Sequence, residues 1–100
     1  MKILIPHRIV LALAFLACLV GQAQSQNIRI GFQAPLTGPA ASDGKTALQG
    51  AQLAVEQINS SGGVRGRQIE LVVLDDQTQP AQAVPIANKF IGDGIKAVIS

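Results

Sequence analysis

The chain has no tryptophan or tyrosine and only three phenylalanines among its 100 residues. It therefore lacks the aromatic platforms on which single-stranded nucleic acid stacks. Its single cysteine, Cys18, and its single histidine, His7, both lie near the amino terminus. One cysteine cannot form an internal disulfide. Beyond that terminus no Ser/His/Asp, Cys/His or metal-ligand set can be assembled, so neither catalysis nor a metal nor a cofactor is expected. Long hydrophobic runs are scarce as well. The longest, Ile9 to Val20, falls well short of the roughly 20 residues a membrane span requires.

What that terminus contains is the layout of an export signal. Lys2, His7 and Arg8 form a positive start, the apolar run follows, and Gly21-Gln22-Ala23 supplies small residues before Gln24. Cleavage is expected between Ala23 and Gln24, making residues 1–23 a signal peptide and 24–100 the mature segment. Phe15-Leu16-Ala17-Cys18 loosely resembles a lipoprotein cleavage site. Phe three residues before the cysteine, and an apolar run continuing through Leu19 and Val20, argue against acylation of Cys18. With Lys2 and Arg8 removed, the remaining basic residues balance the 6 acidic ones. No basic stripe remains, and nucleic-acid binding has no support.

The mature segment reads as alternating strands and helices. Ile28, Ile30 and Phe32 alternate with Arg29 and Gly31, the period-two pattern of a strand. A loop rich in Pro, Gly, Thr and Ser runs from Ala34 to Gly44, with Ser42 or Asp43 as the expected N-cap. A helix is expected over about Gly44 to Ser60, striped by Leu48, Ala51, Val55 and Ile58 and widened by Ala47 and Ala54. Gln49, Gln52, Glu56 and Asn59 fall on its polar side. Gly50 in mid-helix costs roughly 1 kcal/mol relative to Ala, and close approach to the sheet is the expected reason. Gly62 or Gly63 should end the helix.

Val64-Arg65-Gly66-Arg67 reads as a tight turn, and Gln68 to Leu74 as a strand covered on both faces. Gly62 to Gly66 superficially resembles a phosphate loop, but it follows a helix and precedes a strand, the reverse of the required order. Thr78 and Pro80 open a second helix with an inward face of Ala83, Val84, Ala87, Phe90 and Ile91. Pro85 requires either a kink or a regular part that begins near it. Gly92-Asp93-Gly94 closes the helix, and Ile95 to Ile99 begins a third strand. The fold class expected is α/β, a parallel β-α-β-α-β unit at the start of a longer protein.

Two features sit where ligands of open α/β sheets collect, at the carboxyl ends of the strands. The loop Gln33-Ala34-Pro35-Leu36-Thr37-Gly38-Pro39 offers backbone N–H groups and the Thr37 hydroxyl, suited to an anion such as a carboxylate; it is equally well read as a plain connection. Asp75-Asp76 could hold a metal, act as acid and base, or accept a phosphoryl group. Adjacent carboxylates on an extended chain point to opposite sides, and capping the turn before the next helix is the commoner role.

IRIGFQAPLTGPAASDG, QGAQLAVEQIN, SSGGVRGRQIELVVLDDQTQP and AVPIANKFIGDGIKAVIS, in that order, resemble the periplasmic Leu/Ile/Val-binding proteins. These are the substrate-binding subunits of branched-chain amino acid ABC transporters. The resemblance implies a type I periplasmic binding protein of two α/β lobes that close over a small ligand for an ABC permease in the inner membrane. This segment would form part of the amino-terminal lobe. It implies a non-enzymatic, periplasmic protein whose main ligand contacts lie beyond Ser100, with the loop from Leu36 to Asp43 supplying part of one wall. Thr37, Leu36 and Asp43 are the substrate-binding candidates.

Two positions depart from the family pattern. Asp43 stands where branched-chain amino acid binders carry an aromatic residue over the ligand side chain, so either it turns away to cap the helix or the ligand is not a branched aliphatic amino acid. Thr78 stands where well-known members carry a cysteine. The alternative within the same fold is an extracytoplasmic sensor domain for amides, urea or aromatic acids. An exported α/β hydrolase would need a nucleophile or metal set that this segment does not supply.

Overall fold

A computed structural model describes residues 26–100. The expected signal peptide, its cleavage site at Ala23 and Gln24, and Cys18 lie outside the described residues. Within them the order is β1 (Ile28–Ala34), α1 (Ala41–Ser60), β2 (Ile69–Asp75), a 3-10 turn (Pro80–Gln82), α2 (Ala83–Gly92) and β3 (Val98–Ile99). The three strands form one parallel sheet in the order β2-β1-β3, with β1 in the middle. This is the expected β-α-β-α-β unit.

The order has a direct physical consequence. The chain leaves β1 toward β2 on one side, then passes back to β3 on the other. Right-handed crossovers in opposite directions place the two helices on opposite faces of the sheet. The register pairs Ile28 with Ile69, Gly31 with Val72 and Gln33 with Leu74. Gly31, Val72 and Leu74 therefore share one face, and α2 covers it. Ile86, Phe90 and Ile95 form a buried cluster there, packed on Val72 and Leu74. Phe90 is only 2% exposed. A Cβ at Gly31 would come within 3.0 Å of its ring, so the bare glycine lets the ring lie against the strand. Burial of such a side chain contributes roughly 2–3 kcal/mol.

Helix α1 covers the other face, where Phe32, Ala34 and Ile69 are buried. Leu48, Ala51 and Val55 are half-buried as the stripe requires, whereas Ala47, Ala54 and Ile58 are exposed. The helix begins at Ala41, ahead of the expected start. Its N-cap is Ala40, with no side-chain cap, so neither Ser42 nor Asp43 caps it. The preceding loop supplies what a capping side chain would have done: Ala41 N–H donates to the Gly38 carbonyl at 3.2 Å and Ala40 N–H to the Thr78 hydroxyl at 3.3 Å.

The glycine roles within α1 also differ from expectation. Gly50 is exposed with nothing near it, while a Cβ at the buried Gly44 would overlap the Pro35 carbonyl. Close approach thus occurs at Gly44, against the loop that leaves β1. Asn59, expected on the solvent side, donates to the Ile69 carbonyl at 2.9 Å and accepts from the Ile69 N–H at 2.8 Å. It satisfies the outer polar groups at the start of the edge strand β2, which protects that edge from mispairing.

Both helices end in Schellman motifs. Gly63 N–H donates to the Ile58 carbonyl and Gly62 N–H to that of Asn59, at 2.9 and 3.1 Å; Gly62 at φ +102 is the left-handed residue. At the end of α2, Ile95 N–H donates to the Phe90 carbonyl and Gly94 N–H to that of Ile91. Ile95 accordingly belongs to the helix cap and the core rather than to β3, and the strand starts later than expected. Val64 and Arg67 exchange both backbone hydrogen bonds, at 2.8 and 3.0 Å, around the tight turn.

Pro85 falls in the first turn of the regular helix Ala83–Gly92, where its missing N–H has no partner to lose. The inward face of α2 is a correction. Ile86 and Phe90 are buried, while Ala83 and Ala87 are exposed, and Val84 and Ile91 stand 69% and 73% exposed. Apolar residues surround most of this helix, so periodicity alone cannot fix its rotation. Strand β2 is at the sheet edge, and its residues from Leu71 onward are half-buried rather than enclosed on both faces.

Candidate functional site

In a sheet of this order the connections run from β1 to β2 on one side and back to β3 on the other, so the point where the strand order reverses lies at the carboxyl ends of β1 and β3. That is where ligands of doubly wound folds bind. A cleft of about 490 Å³ occupies that position. Phe32, Ala34, Pro35, Ala47 and Ile99 give it apolar walls, and Gln33, Asp43, Asp76 and Ser100 contribute its polar groups. No lysine or arginine lines it.

The sequence candidates separate at this site. Asp43, in the first turn of α1, lines the cleft and makes neither a capping hydrogen bond nor an ion pair among the described residues. Its charge near the helix amino terminus is favoured by the helix dipole. Leu36 and Thr37 are not among the lining residues. They lie behind the cleft, bound to Asp75. The Asp75 Oδ1 accepts from Leu36 N–H at 2.8 Å, Thr37 N–H at 3.3 Å and Gln77 N–H at 2.8 Å. Oδ2 accepts from the Thr37 hydroxyl at 2.7 Å. The Asp75 pKa is lowered chiefly by the Thr37 hydroxyl; desolvation opposes this, and the Gln77, Leu36 and Thr37 N–H groups add to the lowering.

The two aspartates share the turn that follows β2 but differ in what else they hold, as side chains on opposite sides of an extended chain must. Asp76 Oδ1 accepts from Thr78 N–H at 3.0 Å, and its Oδ2 faces the Gln33 amide at 3.5 Å. The Thr78 hydroxyl donates to the Thr37 carbonyl at 3.0 Å and accepts from Ala40 N–H. Gln77 and Thr78 both adopt left-handed backbone, at φ +59 and +58. For a β-branched residue this is an uncommon conformation, costing on the order of 1–3 kcal/mol, and it persists only where surroundings impose it. Here the imposing contacts are the bonds to Asp75, Asp76, Thr37 and Ala40. Sequence reasoning found Thr37 and Asp75 separately but not their pairing. Nothing in a single sequence links two residues that far apart.

Among the described residues no group of three or more His, Cys, Asp and Glu is arranged to hold a metal ion. No described helix is long and apolar enough to cross a membrane.

This topology agrees with comparison to known proteins. The profile of the periplasmic binding protein family matches residues 27–100. The chain belongs to the periplasmic binding protein family. Among its relatives, the leucine-, isoleucine-, valine-, threonine- and alanine-binding protein of Pseudomonas aeruginosa is 47% identical over 75 residues, covering 75% of this chain and 20% of that protein. The Leu/Ile/Val-binding protein of Escherichia coli is 39% identical over 89 residues, covering 89% of this chain and 23% of that one.

Of solved periplasmic binding proteins, a branched-chain amino acid transporter substrate-binding protein from Streptococcus pneumoniae, in complex with isoleucine, superposes with a TM-score of 0.71 at 36% identity. That match covers 74% of this chain and 22% of the other. A fatty acid ABC transporter substrate-binding protein from Thermomonospora curvata superposes at 0.68 with 38% identity, covering 73% of this chain and 18% of the other. The type I periplasmic binding protein fold expected from the sequence is thus shown. The chain spans about a fifth of the length of the curated relatives it matches.

Proposed function

We propose that this chain is part of the amino-terminal lobe of an extracytoplasmic solute-binding protein that captures amino acids or related small polar ligands for an ABC importer. The observation that carries the reading is the cleft at the β1/β3 switch point, within a segment that matches the family along its described length. Ligand capture proceeds by closure of a second lobe over this cleft, a hinge absorbing the motion. The partner is an inner-membrane permease, and the place of action is the periplasm, reached through the signal in residues 1–23.

Within the cleft, Asp43 is the side chain best placed to meet the ligand. It has no partner of its own among the described residues, and closure would leave its carboxylate costly to bury without a hydrogen-bond donor. A ligand that presents an ammonium or amide N–H to this wall fits better than one that presents only an aliphatic chain. Leu36 and Thr37 shape the loop behind it. The apolar walls, Phe32, Ala34 and Ile99, accommodate the hydrocarbon part. Thermal shift of the full-length protein against amino acids, amides, urea, aromatic acids and fatty acids tests the reading. Stabilisation by an amino acid or amide is expected. Stabilisation by none of the panel counts against the transport role, and a transmembrane helix followed by a kinase or cyclase after the second lobe favours the sensor alternative.

A further inference from the structure

We propose that Asp75 is a positioning residue for the ligand cleft: its carboxylate acts as the built-in anion of the β1–α1 loop and holds that loop in its binding shape. The proposal rests on reading the cleft as the ligand site. A loop that leaves a parallel strand and leads into a helix amino terminus directs free N–H groups at one point, and such points bind anions. In this chain the Leu36 N–H, the Thr37 N–H and the Thr37 hydroxyl converge on one carboxylate, and that carboxylate belongs to the end of β2. The donors expected to be available for a ligand's carboxylate are already engaged within the chain.

The rest of the loop is held by the same turn. The Thr78 hydroxyl bridges the Thr37 carbonyl and the Ala40 N–H. A Cβ on Gly38 would stand 2.9 Å from the Gln77 carbonyl oxygen, so the two backbones are in close contact there. The loop is therefore fixed at Leu36, Thr37, Gly38 and Ala40. On either side of this stretch lie the cleft residues Pro35, Asp43 and Gly44. Losing the central anion frees the stretch that joins them. The binding-competent shape then becomes one of several, and apparent affinity falls by the fraction that remains competent. Asp75 is not among the residues that line the cleft and acts through the loop.

Two readouts on the full-length protein test this. The first needs no ligand: hydrogen exchange of residues 35–44 in D75N, D75G, T37V and T37S. Faster exchange in that segment, by roughly tenfold or more, is expected in the first three, with the strands unchanged. T37S keeps the hydroxyl and should exchange like the parent. Sodium formate, a free carboxylate of the right size, should restore protection in D75G.

The second readout is calorimetric affinity for whichever of L-leucine, L-threonine and L-glutamine stabilises the parent protein, with a fall of roughly tenfold expected in D75N and T37V. Unchanged exchange in D75N and T37V overturns the built-in anion. A loosened loop with unchanged affinity overturns the positioning role while leaving solute binding intact. A parent protein that binds none of the three, with the loop loosened in D75N, sinks the positioning role through the functional reading alone. Should D75N fail to fold, the contrast between T37V and T37S decides.

Discussion

Helix α1 contains two glycines, Gly44 and Gly50, and the same substitution at each should have opposite signs. An added methyl at the exposed Gly50 meets nothing within 4 Å. Gly50→Ala therefore gains only the helix-propensity and unfolded-state terms, about 0.5–1 kcal/mol of stabilisation. At Gly44 the methyl would overlap the Pro35 carbonyl, and that atom is backbone, which cannot swing aside. Overpacking of this kind costs about 1–3 kcal/mol. Backbone opposition places Gly44→Ala near the upper end, so after the propensity gain a net loss of about 2 kcal/mol is expected. Urea unfolding of the full-length protein reads both as shifts in midpoint at constant m-value. Because Pro35 and Gly44 line the cleft, Gly44→Ala should also weaken ligand binding while Gly50→Ala leaves it unchanged. A neutral or stabilising Gly44→Ala would show that α1 does not press on the loop as described.

Other consequences are equally specific. Phe90→Ala should destabilise by about 3–5 kcal/mol in the same unfolding assay, because the ring is the most buried core side chain and its removal leaves a cavity over Gly31. Asn59→Ala leaves the outer N–H and carbonyl of Ile69 unpaired and should cost about 1–3 kcal/mol, with faster exchange confined to the start of β2. Asp43→Asn should weaken ligands bearing an ammonium group at that wall more than neutral ones, measured as the ratio of calorimetric affinities; an unchanged ratio removes Asp43 from the ligand. Asp75, whose pKa is lowered on folding, adds stability that is present above its unfolded value near 3.9 and is lost as pH falls through the folded value. Protection of the loop amides should accordingly be flat from neutral pH down to about 5 and fail only in stronger acid, and a loss near pH 6 would assign the loop to another group.

Most of the scaffold was legible in the sequence because it is written in short-range patterns. The alternation of Ile28, Ile30 and Phe32, the stripe from Leu48 to Val55, and glycines that close Schellman motifs each specify an element within a few residues. The rotation of α2 was not legible. With apolar side chains at Ala83, Val84, Ile86, Ala87, Phe90 and Ile91, the helix offers several faces, and only packing on Val72 and Leu74 selects Ile86 and Phe90. Close approach was expected at Gly50 and occurs at Gly44, because the Pro35 carbonyl that sets Gly44 apart belongs to another element and leaves no mark in a helical window.

At the candidate site the limits are the same in kind. Thr37 and Asp43 were recognisable as loop residues at a ligand edge, but their division of labour depends on Asp75 reaching across from a neighbouring strand. Asp75 was legible as a structural carboxylate. Its main duty, holding the β1–α1 loop in addition to the turn at Gln77, required the register that sets Ala34 beside it. Asn59 was missed because a polar residue on a helix carries no sign of the strand edge it serves.

Capture of a small ligand between two lobes is measurable by small-angle scattering of the full-length protein with and without the amino acid or amide that most raises its melting temperature. Closure of the lobes should give a saturable decrease in radius of gyration that follows the calorimetric binding curve. Ligand binding with no compaction at saturation would contradict it.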